Sequence, residues 1–153
     1  MKRRSAIAAL ACLVELAPAA ESALPIPDSM QRVASLAGRR GEPLVLLISL
    51  PGCPYCELVR RNYLLPMRAE GLAAWELMTN NRVHPVRDFH GQQSTGASLA
   101  ALWKIRVTPT VLFFDMAGIE IAARIEGISL PDFYGAYLDE ALVAARKRIK
   151  GQT

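Results

Sequence analysis

The chain has 153 residues, about half of them apolar, which suffices for one domain with a real core and not for two. Its 18 basic and 14 acidic residues leave a formal net charge of +4, which falls to +2 without the leader predicted next, a value too near balance to argue for nucleic acid as a partner. The start of the chain predicts a secretory leader over residues 1–19. Lys2, Arg3 and Arg4 are basic, residues 6–14 form an apolar run, and Ala17-Pro18-Ala19 supplies a small-x-small cleavage signal. The run is far shorter than the roughly 20 residues of a membrane span, so no span is expected after cleavage. Removing 1–19 takes away three basic residues and one acidic one, leaving +2 on a single domain over 20–153. It also removes Cys12, leaving Cys53 and Cys56 as an even pair able to form a disulfide in an oxidising compartment. The expected location is periplasmic or otherwise exported, and the expected state is a monomer.

In the mature chain, residues 28–39 have helical periodicity, with Met30, Val33, Ala34 and Ala37 on one side and Gly38 and Gly41 near the stop. "PLVLLISL" over 43–50 is a near-continuous aliphatic run of strand length, suited to a central strand covered on both faces. A helix is predicted to begin at the cysteines and continue through Leu64, bent or interrupted at Pro66, with residues 71–79 adding another turn or two. Residues 82–89 alternate as a strand that Pro85 demotes to an edge or bulged position, and a polar loop follows over 91–96. A short helix is predicted over 98–105, then two strands, "TPTVLFFD" and "IEIAARIEG", joined by a turn at Met116-Ala117-Gly118. An amphipathic helix over 131–150 closes the chain, with Phe133, Tyr137, Leu138, Ala141, Leu142 and Ala145 on its buried side and a basic end. Trp75 and Trp103 are expected at core or near-core positions on helices.

"CPYC" over 53–56 could be half of a metal site, a structural staple or a redox couple. Cys53, Cys56, His84 and His90 make a poor zinc set, because the Cys-to-His separation is far longer than compact zinc modules use. Haem attachment through C-x-x-C-H fails because Glu57 occupies the histidine position. No metal and no other cofactor is expected. The basic pairs Arg39-Arg40 and Arg60-Arg61 are read as solvated faces.

The predicted order is helix, strand, helix, strand, helix, strand, strand, helix, with the cysteines between the first strand and the next helix. This order, the C-P-Y-C at Cys53 to Cys56 and the Thr108-Pro109 before the third strand resemble the thioredoxin-like superfamily, over nearly all of the mature chain. The resemblance implies an α/β fold, a central mixed sheet of about four strands flanked by helices. It also implies a cis Pro109 facing the cysteines, with the Thr108 backbone hydrogen-bonding an extended substrate.

The chemistry of the motif can be read independently. A helix N-terminus carries unpaired N–H groups and partial positive charge, so a thiolate at Cys53 is favoured there. Pro54 fits the first turn, where its missing N–H costs nothing. Cys56, three positions on and deeper, can attack a mixed disulfide formed at Cys53. Cys53 is thus read as nucleophile, Cys56 as resolver and Tyr55 as a partner contact. Some positions depart from thioredoxins: Gly52 stands where they have tryptophan, Pro54-Tyr55 replaces Gly-Pro, and Leu47 replaces a buried aspartate. Glutaredoxins share C-P-Y-C, but their Gly-Gly-Asp signature is missing. The overall match is to exported bacterial thiol:disulfide oxidoreductases, whose partners are protein thiols or disulfides and a further redox protein. The alternative is a non-enzymatic module that binds copper(I) through the cysteine pair.

Overall fold

The computed structural model describes residues 22–151, so the expected leader and its cleavage site lie outside the described residues. Helix α1 (Met30–Gly38) starts at Ser29, whose side chain accepts the Arg32 N–H, and buries Met30, Val33, Ala34 and Ala37. Strand β1 (Leu44–Ser49) is buried at every position. Helix α2 (Pro54–Val59) leads into a π-helical segment (Arg60–Leu64) and then α3 (Leu65–Ala69). Pro66 has no N–H to give to the preceding turn, and the wide turn just before it lets the chain continue as helix, with the Leu65 N–H bonding to the Arg60 carbonyl.

Strand β2 (Ala74–Met78) runs parallel to β1, with Val45 opposite Ala74 and Leu47 opposite Glu76. A small hairpin, β3 (Val86–Arg87) and β4 (Gln93–Ser94), precedes α4 (Gly96–Leu102). Strand β5 (Thr110–Phe114) pairs antiparallel with β1 on its other side, and β6 (Ile125–Glu126) pairs antiparallel with β5. A 3-10 turn (Pro131–Phe133) opens α5 (Tyr134–Lys150). The sheet order is therefore β2-β1-β5-β6, a four-stranded mixed sheet.

Side chains alternate across the sheet, and helices cover both faces. Val45, Leu47, Val111 and Phe113 pack with Val59, Leu64, Tyr134, Leu138 and Leu142 on one face. Leu44, Leu46, Ile48, Leu112 and Phe114 pack with Met30, Val33, Leu99 and Ala100 on the other. Among the described residues, no helix is long and apolar enough to cross a membrane.

Four expectations are corrected. Residues 71–79 do not add helical turns: after the Gly71 turn the chain becomes β2, and Trp75 sits on a strand. Residues 82–89 contribute only β3, which pairs with β4 outside the main sheet, so β2 takes the edge. Asp88 organises that hairpin by accepting the His90 and Gln92 N–H groups, each at 2.8 Å. Helix α4 stops at Leu102, three residues before the predicted end; Lys104 has a φ of 56°, and the Lys104 and Ile105 N–H groups cap the last turn. In α5, Phe133 is 59% exposed and Tyr137 44%, while Tyr134 is buried. Leu138, Ala141, Leu142 and Ala145 are buried as expected, so the phase of the helix holds; Phe133 belongs to the 3-10 turn, and Tyr134 takes the core position in the first turn of α5.

Candidate redox site

β1 ends at Ser49, and the chain turns through Leu50, Pro51 and Gly52 to bring Cys53 back over the end of the sheet. The Cys53 N–H donates to the Leu50 carbonyl at 3.2 Å. Gly52 has a φ of 74°, a left-handed conformation that costs glycine little, and no tryptophan side chain would sit there without strain. Cys53 is the N-cap of α2, and its Sγ accepts the Cys56 N–H at 3.2 Å. Its carbonyl accepts the Glu57 N–H at 3.1 Å, so the helix starts from the cysteine itself. Pro54 occupies the first helical position. Cys53 and Cys56 are joined as a disulfide with their Cα atoms 5.3 Å apart. Cys53 is half-buried and Cys56 fully buried.

More than fifty residues later, the chain brings Thr108-Pro109 to the same place, with a cis peptide bond between them. Thr108 Oγ1 lies 3.9 Å from Cys53 Sγ and the Thr108 carbonyl 4.0 Å from it. The sulfur carries no proton in the disulfide, so the carbonyl contact is one of proximity. The Gly127 N–H, just past β6, donates to the Pro109 carbonyl at 2.7 Å, and Thr110 Oγ1 donates to the Val107 carbonyl at 2.8 Å, closing the turn on itself. Pro109 is buried. Tyr55, between the two cysteines, is 55% exposed. Leu50 and Val107, also exposed, flank Cys53 and Thr108 in sequence. Sequence reading named Tyr55 alone; Leu50 ends the aliphatic run and Val107 directly precedes Thr108, so both could have been marked.

His84 and His90 are exposed, on the approach to β3 and in the hairpin turn. Among the described residues, no group of three or more His, Cys, Asp or Glu is placed to hold a metal ion.

The sequence reading missed a charged network that joins the end of β1, the segment following Cys56 and β2. Glu76, only 2% exposed on β2, accepts a hydrogen bond from Ser49 Oγ at 2.5 Å. Arg60 grips the same carboxylate in a fork, Nε to Oε2 at 2.9 Å and Nη2 to Oε1 at 2.5 Å. Glu57 pairs with both Arg60 and Arg61, and Arg60, expected on a solvated face, has a side chain only 13% exposed. Hydrogen bonding to Glu76 holds the Arg60 guanidinium above its ordinary pKa, against the opposing effect of burial. The network escaped notice because Glu76 lies in the segment read as helix.

The model of the thioredoxin-like domain family matches residues 30–142. Among solved structures, the chain is similar to a thioredoxin from Thermus thermophilus, with 17% identity and a TM-score of 0.55 over 82% of this chain and 91% of that one. It is also similar to thioredoxin O2 from Arabidopsis thaliana in its oxidized state, with 14% identity and a TM-score of 0.52 over 79% and 96%. A thioredoxin from Malassezia sympodialis aligns with 14% identity and a TM-score of 0.50 over 86% and 98%. At such identities the likeness is one of fold. No curated protein sequence matches at a significant level. The family match spans well over half of the chain and includes both cysteines and the Thr108-Pro109 turn, and the cysteines form a disulfide at a helix N-terminus, which supports a thiol–disulfide redox function: the protein belongs to the thioredoxin-like domain family.

Proposed function

We propose that the protein is an exported thiol:disulfide oxidoreductase of the cell envelope, whose mature domain, 20–153, exchanges disulfides with other proteins through Cys53. The observation that carries this reading is the asymmetry of the pair: Cys53 is partly open at a helix N-terminus beside Thr108, and Cys56 is buried behind it. In the reductive direction, the Cys53 thiolate attacks a partner disulfide and a mixed disulfide forms as one partner sulfur leaves with the electron pair and takes up a proton. The Cys56 thiolate then attacks Cys53 Sγ. The Cys53–Cys56 bond forms, the bond to the partner breaks, and the second partner sulfur leaves as a thiolate that is protonated by water. The partner gains two electrons and the pair is oxidised. Thr108, Pro109 and Tyr55 line the approach to Cys53 and are assigned to substrate contact.

Insulin reduction with dithiothreitol as electron source tests the activity. The intact chain should accelerate it, Cys53→Ser should abolish the acceleration, and Cys56→Ser should accumulate mixed disulfides resolvable on a non-reducing gel. An intact chain without effect on insulin or on any disulfide peptide would overturn the reading. Export is tested separately by N-terminal sequencing of the protein from a periplasmic extract, where Ala20 is the expected first residue.

A further inference from the structure

We infer that Arg60, held in place by Glu76 and Ser49, is a positioning residue that sets the acidity of Cys56: the guanidinium favours the Cys56 thiolate, and Glu76 acts as the counter-ion that limits this effect. The inference deepens the proposed function, since it assigns the control of the resolving step. Three chain segments converge to build the network. Ser49 is the last residue of β1, four positions before Cys53. Arg60 follows Cys56 by four positions, and its N–H donates to the Cys56 carbonyl. Side chains at this spacing lie one above the other, with Cβ atoms about 5–6 Å apart. Glu76 reaches across from β2 and is bound by both.

Burial makes the arrangement consequential. Cys56 is inaccessible, Glu76 is 2% exposed, and the Arg60 side chain is 13% exposed. Charges in such a setting act more strongly on one another than in water. Arginine stays protonated, so Arg60 neither gives nor takes a proton during exchange and acts through its field. Both Glu76 oxygens are already engaged by donors, which suits a counter-ion better than a base. The charged groups of the network are Glu57 and Arg60 on the Cys56 helix, Arg61 just beyond it and Glu76 from β2, with Ser49 as the neutral member from β1. In the resolving step, the Cys56 proton passes to water and the thiolate attacks Cys53 Sγ, the bond to the partner breaking as the intramolecular disulfide forms.

The test uses the full chain with Cys12→Ser and Cys53→Ser, so that Cys56 is the sole thiol, and follows thiolate formation by ultraviolet absorbance against pH. Adding Glu76→Gln leaves Arg60 with only the more exposed Glu57 as counter-ion and should lower the midpoint, raising the thiolate fraction at neutral pH by up to about tenfold, the equivalent of one pKa unit. Arg60→Met leaves a carboxylate near the sulfur and should raise the midpoint. Arg60→Lys should stay near the parent, and the Arg60→Met/Glu76→Gln pair should fall between the two single changes. A midpoint raised by Glu76→Gln would make Glu76 the group that favours the thiolate, and unchanged midpoints would leave the network a purely structural one; either result overturns the inference. If Arg60→Met does not fold, Glu76→Gln and Arg60→Lys still decide the matter. Insulin reduction by the unmodified chain is a separate measurement, so failure of the proposed function and failure of this inference are told apart.

Discussion

At the scale of single residues, the two cysteines differ by position more than by identity. The Cys53 sulfur already accepts a backbone N–H at the helix start, whereas Cys56 is fully buried in the same turn. We expect iodoacetamide to modify Cys53 in the reduced protein at a pH where Cys56 is untouched, as read by peptide mass mapping. Tyr134 offers a second prediction. Its ring packs against Tyr63 with centroids 5.2 Å apart, and its buried hydroxyl has no hydrogen-bond partner. Tyr134→Phe should therefore stabilise the fold by about 1 kcal/mol, seen as a higher melting temperature. Burial pushes the Tyr134 phenol well above the ordinary tyrosine range. An unfolded tyrosine loses its proton near pH 10 while the folded one keeps it, so stability falls as pH rises from about 10 upward. The phenylalanine variant should lack that part of the alkaline loss in denaturant titrations at pH 9 to 11, a range bracketing the ordinary tyrosine value of about 10.

At the scale of elements, local chemistry explains where helices begin. Ser29, Cys53 and Thr95 each cap a helix by accepting the N–H three residues on. The first residue of α4 is also a packing constraint: a Cβ on Gly96 would meet the Met78 carbonyl oxygen at 2.5 Å and Asn81 Cβ at 3.4 Å. The nearest obstacle is backbone, which cannot rotate away. Gly96→Ala should destabilise by about 1–3 kcal/mol through forced separation of α4 from the end of β2, measured as a lowered urea midpoint with an unchanged slope. Thr95→Ala should cost about 1 kcal/mol by loss of the cap alone. Of these three helix starts only that at Cys53 was read from sequence; α1 was expected from residue 28 and α4 from residue 98, with Thr95 and Gly96 left in a polar loop. The strand identity of β2 was not read either. Its residues are apolar on nearly every side, a pattern that a short buried strand and a helical turn share.

At the scale of the whole molecule, β1 and β5 belong to both cores, since their alternate side chains face α2 and α5 on one side and α1 and α4 on the other. Neither helical layer has a sheet of its own, so unfolding should be a single cooperative event. The check is available in the native chromophores. Trp75 sits on the edge strand with the Arg68 guanidinium 5.2 Å from its ring, and Trp103 packs on Phe114 and Phe89; both lie against the core that α1 and α4 cover. Tryptophan fluorescence, which reports on that core, should give the same urea midpoint as circular dichroism, to which the 17-residue α5 on the other face contributes strongly. Separate midpoints would mean that the layers melt independently.

The sequence by itself determined the buried central strand, the helix start at Cys53 and the Thr108-Pro109 step into the next strand, because each is written in neighbouring residues: an aliphatic run, a proline at a first turn, a proline opening a strand. Tertiary structure alone decided which segment lies beside β1. Residues 74–78 win that edge by pairing in register with β1, while 82–89, with the better alternation, is held in a separate hairpin. It also decided the fate of the charge at Glu76. A carboxylate in a short apolar stretch argues for an exposed face when read locally, but in the fold Ser49, 27 residues before it, and Arg60, 16 residues before it, arrive to bind it. Burial of that charge is affordable only with those donors in place, and no local pattern announces partners so distant in the chain.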